Sequence, residues 1–296
     1  MTTVVSVDLD DVACYHEVHG LGEPPADRRG AILERALPRF LALFDQLGVR
    51  ATFFVIGRDL EADLASGGRG AAQLRAALDA GHELGNHSFS HAYDLANWES
   101  RRIYADLRRC DDLLRSIGAA PRGFRAPGYG HDERMLMQVA ALGYSYDSSS
   151  LPSPPYYAAK LGAMAWMRLR GRRSSSRADN ARAFLGSASP HFMPTSGLWE
   201  VPMSASPGLR LPLIGTTLLG GPEPLRRVLV RQAEVLSYFH LELHGMDLAD
   251  PESDGLSHLV GVSPGLGVRL EERKTRLAAL LEARGGGQTI FSALHA

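Results

Sequence analysis

Several short stretches of the 296-residue chain hold the residue types that carry out hydrolytic chemistry. The first is Asp8-Leu9-Asp10-Asp11, at the end of an apolar run. If that run is a strand, successive side chains alternate between its faces, so Asp8 and Asp10 point the same way. Two carboxylates that close repel each other, and a cation beside them relieves the repulsion. The second stretch is His87-Ser88-Phe89-Ser90-His91, whose imidazoles stand four residues apart, the spacing at which one helical turn lets two side chains share an ion. His240 and His244 repeat that spacing in a chain with 11 histidines, so the spacing alone does not decide the matter. The third is Phe124-Arg125-Ala126-Pro127-Gly128-Tyr129, a strand end that turns through Pro and Gly and presents a guanidinium able to keep a carboxylate ionised. Tyr146-Asp147-Ser148-Ser149 and the run from Leu241 through Glu242, Leu243 and His244 to Asp247 complete the set. A carboxylate that orients a histidine is the usual support for an acid–base imidazole. Taken singly, each stretch has an ordinary alternative: a solvated acidic turn, a chance histidine pair, an arginine tying down a helix end.

What must position these groups is an α/β framework, because short β-branched runs alternate with longer helical patterns. Strands are expected at residues 4–9, 51–56, 82–85, 123–125, 144–146, 199–202, 238–243 and 289–291, and helices at 30–47, 71–80, 99–117, 133–142, 224–236 and 268–283. Gly48, Gly81, Gly118 and Gly143 each follow a helical run and suit the left-handed position that ends a helix. In such folds function sits at the carboxyl ends of the strands, where the acidic, histidine and arginine stretches fall. Residues 150–221 break the rhythm with prolines, serines and a basic segment, and are expected to form an insertion or lid within a single domain spanning 1–296.

Bulk properties narrow the classes further. With 45% hydrophobic residues the chain can bury a large core, and its net charge of −1 provides no global field for nucleic acid, so no nucleic-acid partner is expected. The two cysteines, Cys14 and Cys110, have no metal-ribbon spacing and imply no disulfide framework. The first residues run straight into an apolar strand without a basic, then long apolar, leader pattern, which gives a cytoplasmic expectation.

The stretches in their order, from Asp8–Asp11 through His87–His91, Arg125–Tyr129 and Asp147-Ser148 to Leu243-His244, resemble the five motifs of the polysaccharide deacetylase family, carbohydrate esterase family four with the NodB-homology fold. The resemblance covers nearly the whole chain and implies a distorted (β/α)7 barrel. It implies that an Asp of the first motif with His87 and His91 holds one divalent metal ion, zinc by default with cobalt, nickel or manganese as alternatives. It implies that a second Asp of that motif is the general base, that Arg125 salt-bridges to the base, that His244 is the general acid and that Asp147 holds the His244 imidazole. Asp8-Leu9-Asp10-Asp11 also fits the Asp-x-Asp form of cytoplasmic branches such as arabinose-lipid deformylases and allantoinase-like proteins. Two registers compete, base Asp8 with ligand Asp10 or base Asp10 with ligand Asp11; the first is preferred because alternate residues of a strand share a face. Gly128 separates Pro127 from Tyr129 where the family pattern joins them, which leaves Tyr129 without an assigned role.

The implied activity is metal-dependent removal of an acetyl group from a sugar or lipid-linked sugar. The alternatives are a deformylase or other amide hydrolase acting on the same site, and a catalytically inactive binding module of the same fold. Residues 156–173 mix Tyr157, Leu161, Met164, Trp166, Met167 and Leu169 with Lys160, Arg168, Arg170, Arg172 and Arg173. As a helix this segment suits either an ordinary lid or peripheral contact with the inner membrane face.

Overall fold

The computed structural model describes residues 1–25, 28–176 and 186–296; residues 177–185 of the expected insertion lie outside them. Eight strands form one sheet: β1 (Thr2–Asp8), β2 (Thr52–Val55), β3 (Glu83–Asn86), β4 (Gly123–Phe124), β5 (Tyr146–Asp147), β6 (His191–Met193), β7 (Leu198–Glu200) and β8 (Tyr238–His244). Their order is β6-β7-β5-β4-β3-β2-β1-β8, and every pairing is parallel except the antiparallel β6–β7 edge. Parallel neighbours need crossover connections, here supplied by helices. The chief ones are α1 (Val12–His19), α2 (Leu37–Gln46), α3 (Gly57–Ala65), α4 (Arg69–Asp79), α5 (Ser100–Ser116), α6 (Glu133–Ala141) and α7 (Pro154–Leu169).

Alternation along the strands sorts residues into two layers. Val5, Val7, Phe53, Leu241 and Leu243 face outward into the main apolar layer beneath the helices, with Phe40, Phe44 and Leu74. Val4, Phe54, Tyr146 and Val201 face inward and pack together with Ile290. The sheet curls around this inner cluster until the chain beyond β7 meets β8: the Ser204 amide donates to the His240 carbonyl at 3.1 Å and the His240 amide to Ser204 Oγ at 2.9 Å. Seven parallel strands curled in this way are the expected distorted (β/α)7 barrel. The glycines after four helices, Gly48, Gly81, Gly118 and Gly143, all take positive φ as expected.

Four local expectations need correction. Residues 289–291 are not a strand: Gln288 alone pairs with Val4, and Thr289 then caps a short helix, Ile290–Leu294, by accepting from the Ser292 amide at 3.1 Å. The hydroxyl satisfies an amide that the helix leaves open. The 30–47 run is divided, a π-helical turn at Ile32–Ala36 preceding α2, next to Pro38, which has no N–H to donate. Within the insertion, Pro154 and Pro155 do not break the helical rhythm. They occupy the first turn of α7, where a missing N–H costs nothing, and Ser153 caps it. Helices α1 and α3 had no counterpart among the expected elements. Among the described residues no helix is long and apolar enough to cross a membrane.

Gly123 on β4 shows how tightly the inner layer is filled. A Cβ at this position would overlap the Tyr146 ring, which crosses the barrel to donate to Glu83 Oε1 at 2.9 Å. Gly123→Ala is expected to lower the urea midpoint without changing the slope, costing on the order of 1–3 kcal/mol as overpacking does. In a Tyr146→Ala background the same substitution should cost little; an equal cost in both backgrounds would show that the ring is not what excludes a side chain there.

Candidate functional site

The inner-face residues at the carboxyl ends of β1, β3, β4 and β8 converge on one cavity. Asp8 closes β1 and Asp10 follows it; His87 follows β3; Arg125 follows β4; His244 closes β8. Asp8, Asp10, His87 and His244 line a cavity of about 240 Å³, with Tyr129 and Met164 among the other lining residues. The two aspartates share a face as expected, yet their partners differ.

Asp10 meets the histidines. Its Oδ1 lies 3.2 Å from His87 Nε2 and 3.4 Å from His91 Nε2, and the donor atoms of the three residues all fall within 4.8 Å of one another. His87 Nδ1 sits 2.8 Å from the Arg125 carbonyl, which can only accept, so Nδ1 carries the proton and Nε2 offers its lone pair to the cavity. Asp10 Oδ1 and both ring nitrogens of His91 are buried without a hydrogen-bond partner. Buried polar atoms left this way are costly unless something fills the space between them. An imidazole–imidazole–carboxylate donor set of this size suits a divalent ion with open positions for other ligands. Burial alone would raise Asp10, but His91 and His87 hold it well below the usual carboxylate range. Asp11 is turned away, its Oδ1 accepting from the Gly30 amide at 3.1 Å. The geometry therefore groups Asp10, not Asp11, with the histidines.

The segment carrying the histidines is not the helical turn that their spacing suggested. Ser88 and His91 both have positive φ, 62° and 52°. Such backbone persists where the surroundings fix it. Asn86 Oδ1 accepts from the Ser88 amide at 2.8 Å, Ser88 Oγ from the His91 amide at 2.9 Å, and Asp106 on α5 takes the amides of Phe89 and Ser90.

Asp8 instead pairs with Arg125, whose Nη1 donates to Asp8 Oδ1 at 2.6 Å. The guanidinium has no solvent exposure; its Nε and Nη2 donate to the Ser148 carbonyl and hydroxyl, both at 2.8 Å, and it stacks 4.3 Å from the Phe54 ring. Burial pushes Asp8 upward, against the pull of Arg125 and His87.

His244 differs from expectation in its supporting carboxylate. Its Nδ1 lies 2.9 Å from Glu242 Oε1, to which Tyr129 Oη also donates at 3.2 Å. Burial would lower His244, but Glu242 overrides it and holds the imidazole well above its usual range. Asp147 does not hold His244. It follows Tyr146 on β5 and so points to the outer face, where Ser149 Oγ donates to it at 2.7 Å. Glu242 was legible by the alternation rule that links Asp8 to Asp10, since it stands two residues before His244 on one strand. Tyr129 gains a role as the second donor to Glu242. Asp247 accepts from the His244 amide at 2.8 Å, and fully buried Arg273 pins the following loop by donating to the carbonyls of Met246, Asp247 and Ala249. The other histidine of the repeated spacing, His240, lies deeper in the barrel and is spent on Ser6 Oγ at 2.9 Å.

Residues 28–146 match the polysaccharide deacetylase family model. A peptidoglycan deacetylase of Helicobacter pylori is 30% identical over 155 residues, 51% of this chain and 50% of the relative. A chitin deacetylase of Colletotrichum lindemuthianum is 32% identical over 120 residues, 40% of this chain and 47% of the relative. The chain thus spans about half the length of these curated relatives. In fold it resembles the crystal structure of a Mycobacterium smegmatis protein named as a polysaccharide deacetylase, with TM-score 0.59 and 17% identity over 99% of this chain and 88% of that one. The family match takes in His87, His91 and Arg125, and the barrel brings Asp8, Asp10 and His244 to them from outside the matched segment. Residues 28–146 are therefore similar to the polysaccharide deacetylase family, and the fold of the described residues resembles that of the Mycobacterium smegmatis structure.

Proposed function

We propose that the protein is a metal-dependent deacetylase that removes the acetyl group from an N-acetylated sugar. The observation that carries this reading is the division of labour at one cavity: a cation-type donor set, an arginine-paired carboxylate and a carboxylate-paired imidazole, all on the inner face of the barrel mouth. Asp10, His87 and His91 would hold the ion, zinc being the choice that the two imidazoles and one carboxylate favour. A divalent ion there supplies Lewis-acid polarisation of a carbonyl oxygen and makes water in the cleft more acidic.

The chain's own residues supply the proton transfers. Asp8 faces the cavity as general base and takes the proton of the attacking water, while Arg125 fixes the carboxylate in place and limits its rotation. His244, held protonated by Glu242, gives its proton to the nitrogen of the departing amine. Tyr129 keeps Glu242 directed at His244 Nδ1, which leaves Nε2 as the proton-bearing atom toward the cavity. The base, acid and donor-set positions are all filled, which supports an active enzyme over an inactive binding module of the same fold.

A lipid-linked sugar, met in the cytoplasm at the inner membrane face, is the finer reading that α7 favours. Lys160, Met164 and Met167 of this helix line the same cavity as Asp8 and Asp10, whereas Leu161, Trp166 and Leu169 are exposed, and Arg170 stacks on Trp166 at 4.5 Å. One helix thus borders the reaction cleft and carries apolar and cationic groups outward, as an interfacial element does. If so, salt-sensitive binding to anionic liposomes is expected, each arginine near the surface adding on the order of 1 kcal/mol. Trp166→Ser with Leu169→Ser should weaken sedimentation with liposomes while hydrolysis of a short soluble analogue continues. Absent binding at low salt would leave α7 as a lid alone.

His87→Ala or His91→Ala is expected to remove one divalent ion per chain, measured by elemental mass spectrometry, together with turnover. Asp10→Asn should do the same, and Asp8→Asn should keep the ion while losing about 10²–10⁴-fold in kcat. Asp11→Asn should be milder than either; metal loss in Asp11→Asn with retention in Asp10→Asn would transfer the ligand role to Asp11.

Glu242→Gln removes the charge that raises His244. An acid is active below its pKa, so lowering that pKa moves the alkaline limb of the kcat/KM profile to lower pH. An unmoved alkaline limb in Glu242→Gln would mean that His244 is not the acid whose ionisation the profile reports. Mass spectrometry of products from N-acetylated and N-formylated sugars, reading loss of acetate or formate, distinguishes the deacetylase from the deformylase.

A further inference from the structure

Outside the barrel mouth, on the opposite face of the same sheet, lies a second cluster that the proposed reaction does not use. Asp147 on β5 and Glu200 on β7 are register partners on adjacent parallel strands, so their side chains leave the sheet side by side. His131, from the loop before α6, joins them, and one ligand atom from each of the three lies within 4.8 Å of the others. All three are buried, Asp147 and Glu200 at 0% and 1% exposure. The hydrogen bonds of the two carboxylates orient them without neutralising them. Asp147 accepts from the Ser149 hydroxyl and amide, Glu200 Oε1 accepts from the Ser150 amide at 3.1 Å, and His131 Nδ1 lies 3.2 Å from the Tyr129 carbonyl. That last contact places the proton on Nδ1. Glu200 Oε2 is buried and has no hydrogen-bond partner. His131 and Glu200 form part of the wall of a cavity of about 570 Å³, which shares no lining residue with the catalytic cavity.

Two carboxylates side by side in the interior repel unless a proton or a cation lies between them. We infer that His131, Asp147 and Glu200 form a second divalent-cation site, distinct from the Asp10–His87–His91 site and reached through the cavity beside β6 and β7. Three features carry it. The donor set is one nitrogen and two carboxylates, which suits zinc or manganese and leaves positions open for water. Each side chain is fixed by a contact on its far side, as metal ligands usually are. Glu200 Oε2, a buried atom without a hydrogen-bond partner, belongs to this cluster. Burial and the adjacent Asp147 push Glu200 well above the usual carboxylate range in the absence of an ion, which is the strain that an ion would relieve.

The site has a route to the catalytic centre. Asp147 accepts from Ser149 Oγ, and that oxygen accepts from the amide of Ala126, next to Arg125. An ion on Asp147 therefore steadies the strand end that presents Arg125 to Asp8, and its place is structural rather than catalytic.

The test separates the two sites by variant. Full-length His87→Ala/His91→Ala protein, dialysed against micromolar Zn²⁺ and then washed, is expected to retain about one zinc per chain by elemental mass spectrometry, as one surviving three-ligand site would. Adding Glu200→Gln and His131→Gln should bring that value close to zero. In the otherwise unaltered chain, Glu200→Gln/His131→Gln should lower the zinc content by one equivalent and abolish the part of the Zn²⁺-induced rise in melting temperature that His87→Ala/His91→Ala leaves intact. The conservative Glu200→Asp should bind more weakly than the original chain and more tightly than Glu200→Gln. If the His87→Ala/His91→Ala protein is folded by circular dichroism and binds no zinc, or if Glu200→Gln/His131→Gln leaves the zinc content unchanged, the two carboxyls share a proton and the site does not exist. Should His87→Ala/His91→Ala not fold, the Glu200→Gln/His131→Gln comparison decides alone.

Discussion

A guanidinium shut away from water must have its charge matched by the protein, and Arg125 shows what that requires. Its three nitrogens donate to Asp8, to the Ser148 carbonyl and to the Ser148 hydroxyl, while its flat face lies on Phe54. These partners come from β1, from the chain just after β5 and from β2, so the charge is neutralised only when three strands have taken their places around it. Removing one partner of such a buried pair leaves an uncompensated charge that costs on the order of 3–5 kcal/mol, more than the pair itself contributes. The same constraint orders the chemistry. With one oxygen bound to Arg125, Asp8 keeps a fixed direction, and its neighbour Asp10 is left to the histidines.

Strand alternation makes this possible and also explains what could be read from the chain beforehand. Asp8 and Asp10 share a face, as do Glu242 and His244, and the parallel register sets Asp8 opposite His244. The β-branched runs, the glycines after helices and the acidic, histidine and arginine stretches at strand ends were legible because each is a local signal of spacing or turn chemistry. Asp147 was misplaced because its face depends on Tyr146, whose ring fills the barrel interior and sends the next residue outward. Only the assembled inner layer reveals that.

The other misreadings come from local patterns that tertiary partners override. Residues 87–91 carry histidines at helical spacing, yet Asn86, Ser88 and Asp106 take the backbone amides of the segment and hold two non-glycine residues at positive φ. Side chains that hydrogen-bond nearby amides compete with helical bonds in this way. Pro154 and Pro155 read as a break because proline interrupts helices from within, whereas at a first turn it costs nothing. The run at 289–291 is β-branched and aromatic, but three residues are too few for periodicity to tell a strand from a capped turn.

The division between faces also bears on why the barrel tolerates so many buried acids. On the inner face Asp8 is matched by Arg125 and Glu242 by His244, while Asp10 stands against the two histidines that would share an ion with it. On the outer face of β5 and β7, Asp147 and Glu200 have backbone amides, serine and His131 around them, and no arginine or lysine forms an ion pair with either among the described residues. A sheet one residue thick separates the two groups, and the link between them runs through Ser149 and the Ala126 amide to the strand end that carries Arg125. Whatever neutralises the outer pair therefore bears on how firmly Arg125 is held, since Ala126 moves with its neighbour. The hydrogen bonds of Ser149 thus tie the outer pair to the strand end that presents Arg125 to Asp8.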